Sequence, residues 1–398
     1  MKLHHLEVAR SGSFSSIGAY LARARPDEPV MFYAADVLRA KVFQFQKTFA
    51  EGLSYAIKAN NHPNVLGHVL DCGVCSFDVA SPAEIGQVRR KAPGAVLHYN
   101  NPVRSPAEIE TALRAGVSSF SVDRPSELEK LFALVPPGAA TISLRFKHEN
   151  PSSAYGFGAK FGATIADAER LLQSASRRGY RTGLNFHVGT QCNDPKAWAD
   201  HLGIAAAITR NTGTVPAEIN VGGGFPSWRT TEEPRLGDIL RIIGAEFRAH
   251  FDPGRVRLLC EPGRALIADA VTLATRIKAR SPADTLYLND GIYGRLNEFP
   301  LVGLAGRTEI LTPAGERRQG TAGLFRVFGP TCDSVDKLPE PVALPEDCRE
   351  GDYLLFHGMG AYSNASATDF NGYGGHDWVA VDRLLPPAGS GPSEIDAV

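Results

Sequence analysis

The sequence reads as an α/β protein: a (β/α)8 barrel joined to a second, mostly β domain, itself a β-barrel or sandwich. Three observations carry that reading. The chain has 398 residues and a mass of 42.8 kDa, enough to bury a large core and to divide in two. Between residues 53 and 260, eight short apolar stretches alternate with helical patterns, as in a closed parallel barrel. After about Arg276 the alternation gives way to short strands separated by Gly- and Pro-rich turns.

The elements follow in order. The first thirty or so residues are polar and mixed, ending in a short strand, Pro29–Tyr33, expected to join the second domain. From Ala35 to about Glu51 the spacing of Leu38, Val42, Phe43, Phe45 and Phe49 predicts a helix. The barrel strands are expected at Leu53–Ile57, Ser76–Ala80, Val96–Tyr99, Ser118–Val122, Thr141–Phe146, Gly183–Val188, Ala217–Val221 and Val256–Cys260. Helices are expected between them at Pro82–Lys91, Ser105–Ala115, Ser126–Leu134 and Ile165–Arg178. Ser81-Pro82, Ser105-Pro106 and Pro125-Ser126 mark helix starts. An open doubly wound sheet is the alternative, and the count of eight favours the barrel.

Beyond Arg276, strands are expected at Thr285–Leu288, Arg307–Leu311, Tyr353–Phe356 and Trp378–Val381. The predicted division is thus a TIM-like barrel over 34–275, a β domain from 1–33 and 276–385, and a disordered tail over 386–398 that is rich in Pro, Gly and Ser.

Composition narrows the function. Hydrophobic residues make up 43% and charged ones 21%, and Lys+Arg 42 against Asp+Glu 43 leaves a formal charge of -1. Nothing there predicts a nucleic-acid or anionic-membrane partner. No apolar run is long enough for a bilayer and no signal-peptide h-region opens the chain, so a cytoplasmic enzyme is expected. The six cysteines are scattered, which argues against a disulfide framework. Cys72-Gly73-Val74-Cys75 matches the C-x-x-C redox pattern but lacks a second ligand pair, so it reads as buried thiols and no metal site is expected.

In a barrel of this kind, chemistry collects at the carboxyl ends of the strands. There the sequence places Lys58 after the first strand, Asp78 near the end of the second, Arg145 near the end of the fifth and His187 closing the sixth. Gly222-Gly223-Gly224 follows the seventh and Glu261-Pro262-Gly263-Arg264 the eighth. Singly, each has a plainer explanation: a surface lysine, a core histidine, a loop, a turn. Together they form a coherent set. A lysine among apolar residues is costly unless it is deprotonated, paired or covalently bound. We therefore expect Lys58 to form a Schiff base with pyridoxal phosphate (PLP), with consecutive glycines and Arg264 as its phosphate site.

Several segments then resemble one known family. They are Tyr-Ala-Ile-Lys-Ala-Asn at 55–60, Phe77-Asp78-Val79-Ala80-Ser81, Phe186-His187-Val188-Gly189-Thr190-Gln191-Cys192 and Gly222-Gly223-Gly224-Phe225-Pro226. Further on come Glu261-Pro262-Gly263-Arg264, Asn289-Asp290-Gly291-Ile292-Tyr293-Gly294, Gly329-Pro330-Thr331-Cys332-Asp333 and Met359-Gly360-Ala361-Tyr362. In this order, from about Phe32 to Tyr373, they resemble the eukaryotic-type ornithine decarboxylases. These are fold-type III PLP enzymes related to diaminopimelate decarboxylase and alanine racemase.

The resemblance implies roles. Lys58 would carry PLP and be displaced by the substrate amine. Glu261 would pair with the pyridine nitrogen, and His187 would stack on the ring. The glycine triplet, Gly263, Arg264, Thr190 and Tyr362 would hold the phosphate, with Thr190 standing where the family usually has serine. Asp78 and Arg145 would support the lysine and ring. Cys332 and Asp333 would reach the active site of the other subunit of a homodimer, where the cysteine protonates the carbon left after carbon dioxide departs. Tyr293, Val302, Asp333 and Phe370 would lie on the substrate side.

One departure concerns the substrate. Counted without a gap from Gly294, Leu301-Val302 stands where the family carries a Tyr-Asp pair whose aspartate binds the substrate's terminal ammonium. Valine cannot pair with a cation, so ornithine itself is not the expected substrate. Glu298 or Glu309 would be the substitutes, or Arg295 and Arg307 would accept an acidic or carbonyl-bearing tail. The expected activity is decarboxylation of an α-amino acid with a polar tail, ornithine- or lysine-like or a modified relative. The alternatives are a racemase on the same fold and a non-catalytic homologue resembling the antizyme inhibitors.

Overall fold

Eight parallel strands in unbroken sequence order form the first sheet of the computed structural model, which describes residues 13–229, 236–303 and 307–384. They are Ser54–Ala56, Ser76–Val79, Val96–Tyr99, Ser119–Val122, Thr141–Arg145, Thr182–Asn185, Glu218–Asn220 and Arg257–Leu259. The last closes on the first: Leu53 bridges Cys260 in parallel, and the Ser54 N–H donates to Cys260 O at 3.0 Å. This is the barrel that the alternation predicts. Every expected strand is present, most of them trimmed by one to three residues at an end.

The helices between the strands owe their positions to capping as much as to apolar spacing. Pro82–Lys91 starts where Ser81 accepts the Glu84 N–H. Pro106–Arg114 starts with a reciprocal capping box between Ser105 and Glu108. Pro125–Leu134 begins without such a bond; Arg124, not Ser126, precedes its first residue, and the proline alone marks the start. In Ile165–Arg177, Ala168, Leu171, Leu172 and Ala175 face the core, the three-and-four spacing of a buried stripe. In Ala35–Phe49 the buried residues are Leu38, Val42, Phe45 and Phe49. Phe43, expected on that face, is 54% exposed because it falls one position off the stripe.

The second sheet is mixed and has nine strands. Val30–Tyr33 does join it, between Asp377–Arg383 and Val271–Ser281. Val271–Ser281 is the longest strand, and the division expected at 275/276 falls inside it. Thr285–Leu288, Thr308–Leu311, Tyr353–His357 and Asp377–Arg383 lie where strands were expected. Four strands of this sheet, Phe14–Ser16, Val271–Ser281, Ala322–Phe328 and Val342–Pro345, and a helix, Ile17–Ala24, were not read from the sequence. The tail 386–398 lies outside the described residues. No helix among the described residues is long and apolar enough to cross a membrane.

One loop carries the second sheet onto the barrel mouth. The Tyr362 N–H donates to Ala59 O at 2.7 Å, and Asn60 Nδ2 donates to Gly360 O at 2.8 Å. Gly360 must be glycine, since a Cβ there would stand 1.9 Å from Ile267 O. The lysine turn and the Tyr362 loop are thereby fixed to each other.

Candidate active site

Lys58 stands just past its strand, in a 3-10 turn spanning Ile57–Ala59. Its side chain is 46% exposed, and Nζ donates to Asp78 Oδ2 at 2.9 Å. Enclosure works against the positive charge. Asp78, then Tyr362 and Glu261, outweigh it and hold the ammonium above the ordinary lysine range. Asp78 ends up fully buried, and its Oδ1 accepts from Asn100 Nδ2 at 3.1 Å.

Glu261 is the second carboxylate of the site. Its Oε1 accepts from Asn100 Nδ2 at 2.6 Å and from Asn220 Nδ2. Burial and the Asp78 charge push its carboxyl well above the usual range, against the pull of Lys58 and Arg145. Arg145, ending its strand, lies over the Phe161 ring at 5.4 Å, and burial lowers its guanidinium. His187 lies two residues beyond its strand, which stops at Asn185, and does not close it. Its Nδ1 accepts the Gly189 N–H at 3.0 Å, which leaves the ring proton on Nε2. Burial, then Arg145 and Lys58, hold the imidazole well below its ordinary value, so it is neutral.

The glycine triplet is a shaped cradle. Gly222 and Gly224 have φ of +68° and +86°, and a Cβ on them would stand 2.2 Å from Phe186 O and 2.1 Å from Gly189 O. On Gly223 it would meet Glu261 O at 2.8 Å and His187 Nε2 at 3.2 Å. Gly263 allows the Arg264 turn to approach the lysine turn, since its Cβ would lie 2.8 Å from that of Ala59. Arg264 is buried, lies over the Tyr362 ring at 4.9 Å, and is gripped by both oxygens of Glu298, with Nη2 to Oε1 at 2.7 Å. Glu298 also pairs with buried Arg229 at 3.5 Å. Thr190 is buried nearby, its backbone bridged to Tyr155.

These residues fit PLP. A lysine amine, a carboxylate with one oxygen unclaimed, a neutral imidazole face, an arginine and a bare-backbone loop are the donor set for a phosphorylated pyridine aldehyde. Glu261 Oε2 has no hydrogen-bond partner among the described residues.

A second group lies apart, on loops of the second sheet. Cys332 is exposed, and its Sγ is 3.3 Å from Asn371 Oδ1. Asp333 Oδ2 accepts from the Tyr293 hydroxyl at 2.6 Å, and Tyr293 packs on Phe370 at 5.0 Å. Among the described residues no hydrogen bond or ring contact joins this group to Lys58 in the same chain. Val302 ends a short helical turn, Phe299–Val302, with Leu301 63% exposed beside it.

The proposed substitutes for the missing aspartate are otherwise engaged. Glu298 clamps Arg264, and Glu309 accepts from His357 at 2.9 Å and Arg317 at 2.6 Å. Arg295 is buried against Asp290 at 3.1 Å, and Arg307 pairs with Asp269 at 3.0 Å. All four hold the fold, so none is free for a substrate tail. The C-x-x-C pair is also corrected: Cys75 is exposed and Cys72 half-buried, both free thiols. No group of three metal-ligating side chains occurs among the described residues.

Sequence reasoning missed Asn100, Asn220 and Arg229, and gave Glu298 a different role. The two asparagines were within reach: each sits at the carboxyl end of a barrel strand, where polar residues converge. Arg229 carried no such signal, and the contact between Arg229 and Glu298 exists only once folding brings their loops together.

The sequence profile described as "Pyridoxal-dependent decarboxylase, pyridoxal binding domain" matches residues 35–268. Ornithine decarboxylase of Cricetulus griseus is 30% identical over 369 residues, 87% of this chain and 79% of that protein. Antizyme inhibitor 2 of Xenopus laevis is 31% identical over 343 residues, 80% of this chain and 73% of that protein. Among solved structures, the lysine/ornithine decarboxylase of Vibrio vulnificus complexed with putrescine superposes with a TM-score of 0.80. It is 27% identical, with 92% of this chain and 97% of that chain covered. With the profile spanning more than half of its length and these relatives most of the rest, the chain belongs to the pyridoxal-dependent decarboxylases.

Proposed function

We propose that this protein decarboxylates an α-amino acid with a polar tail, ornithine- or lysine-like or a modified relative, releasing carbon dioxide and an amine. The observation that carries it is the convergence of Lys58, Asp78, Glu261, His187, the glycine triplet and Arg264 on one end of the barrel. When bound, PLP supplies the electron sink for the bond to the departing carboxylate.

The chain does the rest. Lys58 would contribute the amine, and Asp78, within hydrogen-bond reach of Nζ, orients it. Glu261, its Oε1 held by Asn100 and Asn220, would pair with the ring nitrogen and keep it protonated. His187, neutral, offers a flat uncharged face. Arg264, Tyr362, Thr190, Gly263 and Gly222–Gly224 would hold the phosphate. Cys332, from the partner in a homodimer, delivers the proton to carbon, help of a kind typically worth ~10²–10⁴-fold. The exposure of Cys332, on a loop of the second sheet beside the half-buried Asp333, supports that sharing. Tyr293 holds the Asp333 carboxyl below its usual range, so an anion is ready for a cationic tail even though Val302 offers none. A cytoplasmic setting belongs to the same reading, supported by the scattered cysteines.

The presence of an antizyme inhibitor among the relatives favours one second reading, a protein that binds but does not catalyse. Retention of Lys58, His187, Glu261, Arg264 and Cys332 together argues against it. The test is a screen of basic and modified amino acids for PLP-dependent carbon dioxide release. Release that is lost in Lys58→Ala is expected. Loss of optical rotation without mass change would make it a racemase, and no cofactor absorbance band would make it a non-catalytic homologue.

A further inference from the structure

Two carboxylates, Asp78 and Glu261, share one neighbour. Asn100, 7% exposed, donates through the same Nδ2 to Asp78 Oδ1 at 3.1 Å and to Glu261 Oε1 at 2.6 Å. An amide nitrogen carries two hydrogens, so one group serves both acceptors. Asn220 adds a second donor to Oε1, and its own Oδ1 is pinned by the Gly222 N–H at 2.9 Å. Asp78 Oδ2 is meanwhile taken by Lys58.

Neighbouring carboxylates in an enclosed site resist ionising together, and one takes up a proton unless donors offset the repulsion. A protonated Glu261 could not keep the ring nitrogen of PLP charged. We infer that Asn100, assisted by Asn220, is the positioning residue that makes Glu261 competent: the two amides hold Oε1, leave Oε2 alone for the ring nitrogen, and offset part of the repulsion between the two carboxylates. The inference rests on the reading of Glu261 as the partner of that nitrogen. It gives Asn100 a role in cofactor recognition without requiring contact with the cofactor.

The experiment compares Asn100→Ala, Asn100→Asp and Glu261→Gln, each freed of cofactor and titrated with PLP by absorbance. Thermal unfolding serves as the check on folding. Loss of the donor should weaken PLP binding about ten- to a hundredfold in Asn100→Ala. Asn100→Asp keeps the shape but replaces donors with acceptors between two carboxylates, so it should bind PLP more weakly still and show an altered cofactor band. A packing role predicts the reverse order, and Asn100→Asp equal to or milder than Asn100→Ala overturns the inference. If Asn100→Asp does not fold, Asn100→Ala decides alone: affinity within twofold of the parent overturns it. If Glu261→Gln leaves affinity and spectrum unchanged, the reading of Glu261 fails; if it changes both while the Asn100 variants do not, only the inference fails.

Discussion

Lys58 is held as an ammonium by the carboxylate that also orients it, and an ammonium cannot attack an aldehyde. Removing Asp78 takes away the largest influence raising the lysine, so Asp78→Ala should lower the pH at which Schiff-base formation with PLP reaches half its maximal rate. A stopped-flow pH series on the cofactor band measures this, and an unmoved midpoint would contradict the pairing. The Arg264–Glu298–Arg229 group makes a different claim. Glu298 is the counter-charge for two buried guanidiniums, so Glu298→Ala should cost about 3–5 kcal/mol of stability, read from urea unfolding. The lysine, the glycines and Glu261 were legible because each sits where a barrel strand ends. Glu298 was not: as a carboxylate near the Val302 gap it suggested a substrate ligand, and only its contact with a loop some seventy positions earlier in the chain gives its actual work.

Among the elements, local chemistry was the reliable guide. Ser81-Pro82 and Ser105-Pro106 announce helices because a hydroxyl cap and a proline satisfy the first turn. Ser105→Ala should lower stability by about 1 kcal/mol and leave PLP affinity unchanged, with thermal unfolding and cofactor titration as the two measurements. The strand ends were less legible, since apolar residues run past the last ladder bond into the loops that carry the site, as Phe186 and Val188 do around His187. The cradle makes the opposite demand on its backbone. Gly224→Ala forces a side chain into left-handed φ and onto Gly189 O, so it should disrupt both fold and cofactor binding. The strands Ala322–Phe328 and Val342–Pro345, the second at the sheet edge, escaped the sequence because they carry few buried residues and no dense apolar run.

At the scale of the whole molecule, three histidines tie folding to pH. Burial pushes His62, His201 and His376 down to about 4 from the ordinary 6.5. Between those values the unfolded chain binds more protons than the folded one, so stability is full above 6.5 and falls as pH drops towards 4. Urea midpoints at pH 7 and pH 5 should show the loss, and equal midpoints would refute it. Closure of the barrel was legible from the count of strands, and the expectation that Cys332 serves a second copy came from the resemblance, not from its own position on an exposed loop. Mixing Lys58→Ala with Cys332→Ala under conditions that exchange subunits should restore about a quarter of the parental activity, since half the dimers then hold one intact site. No restoration would mean that each chain completes its own site.

The central claim is that Lys58 carries the cofactor. Reducing the PLP-loaded protein with borohydride and mapping the product by peptide mass spectrometry tests it most directly. One phosphopyridoxyl group per chain is expected on the peptide containing Lys58, and none in Lys58→Ala. A label on another lysine, or none, would contradict it.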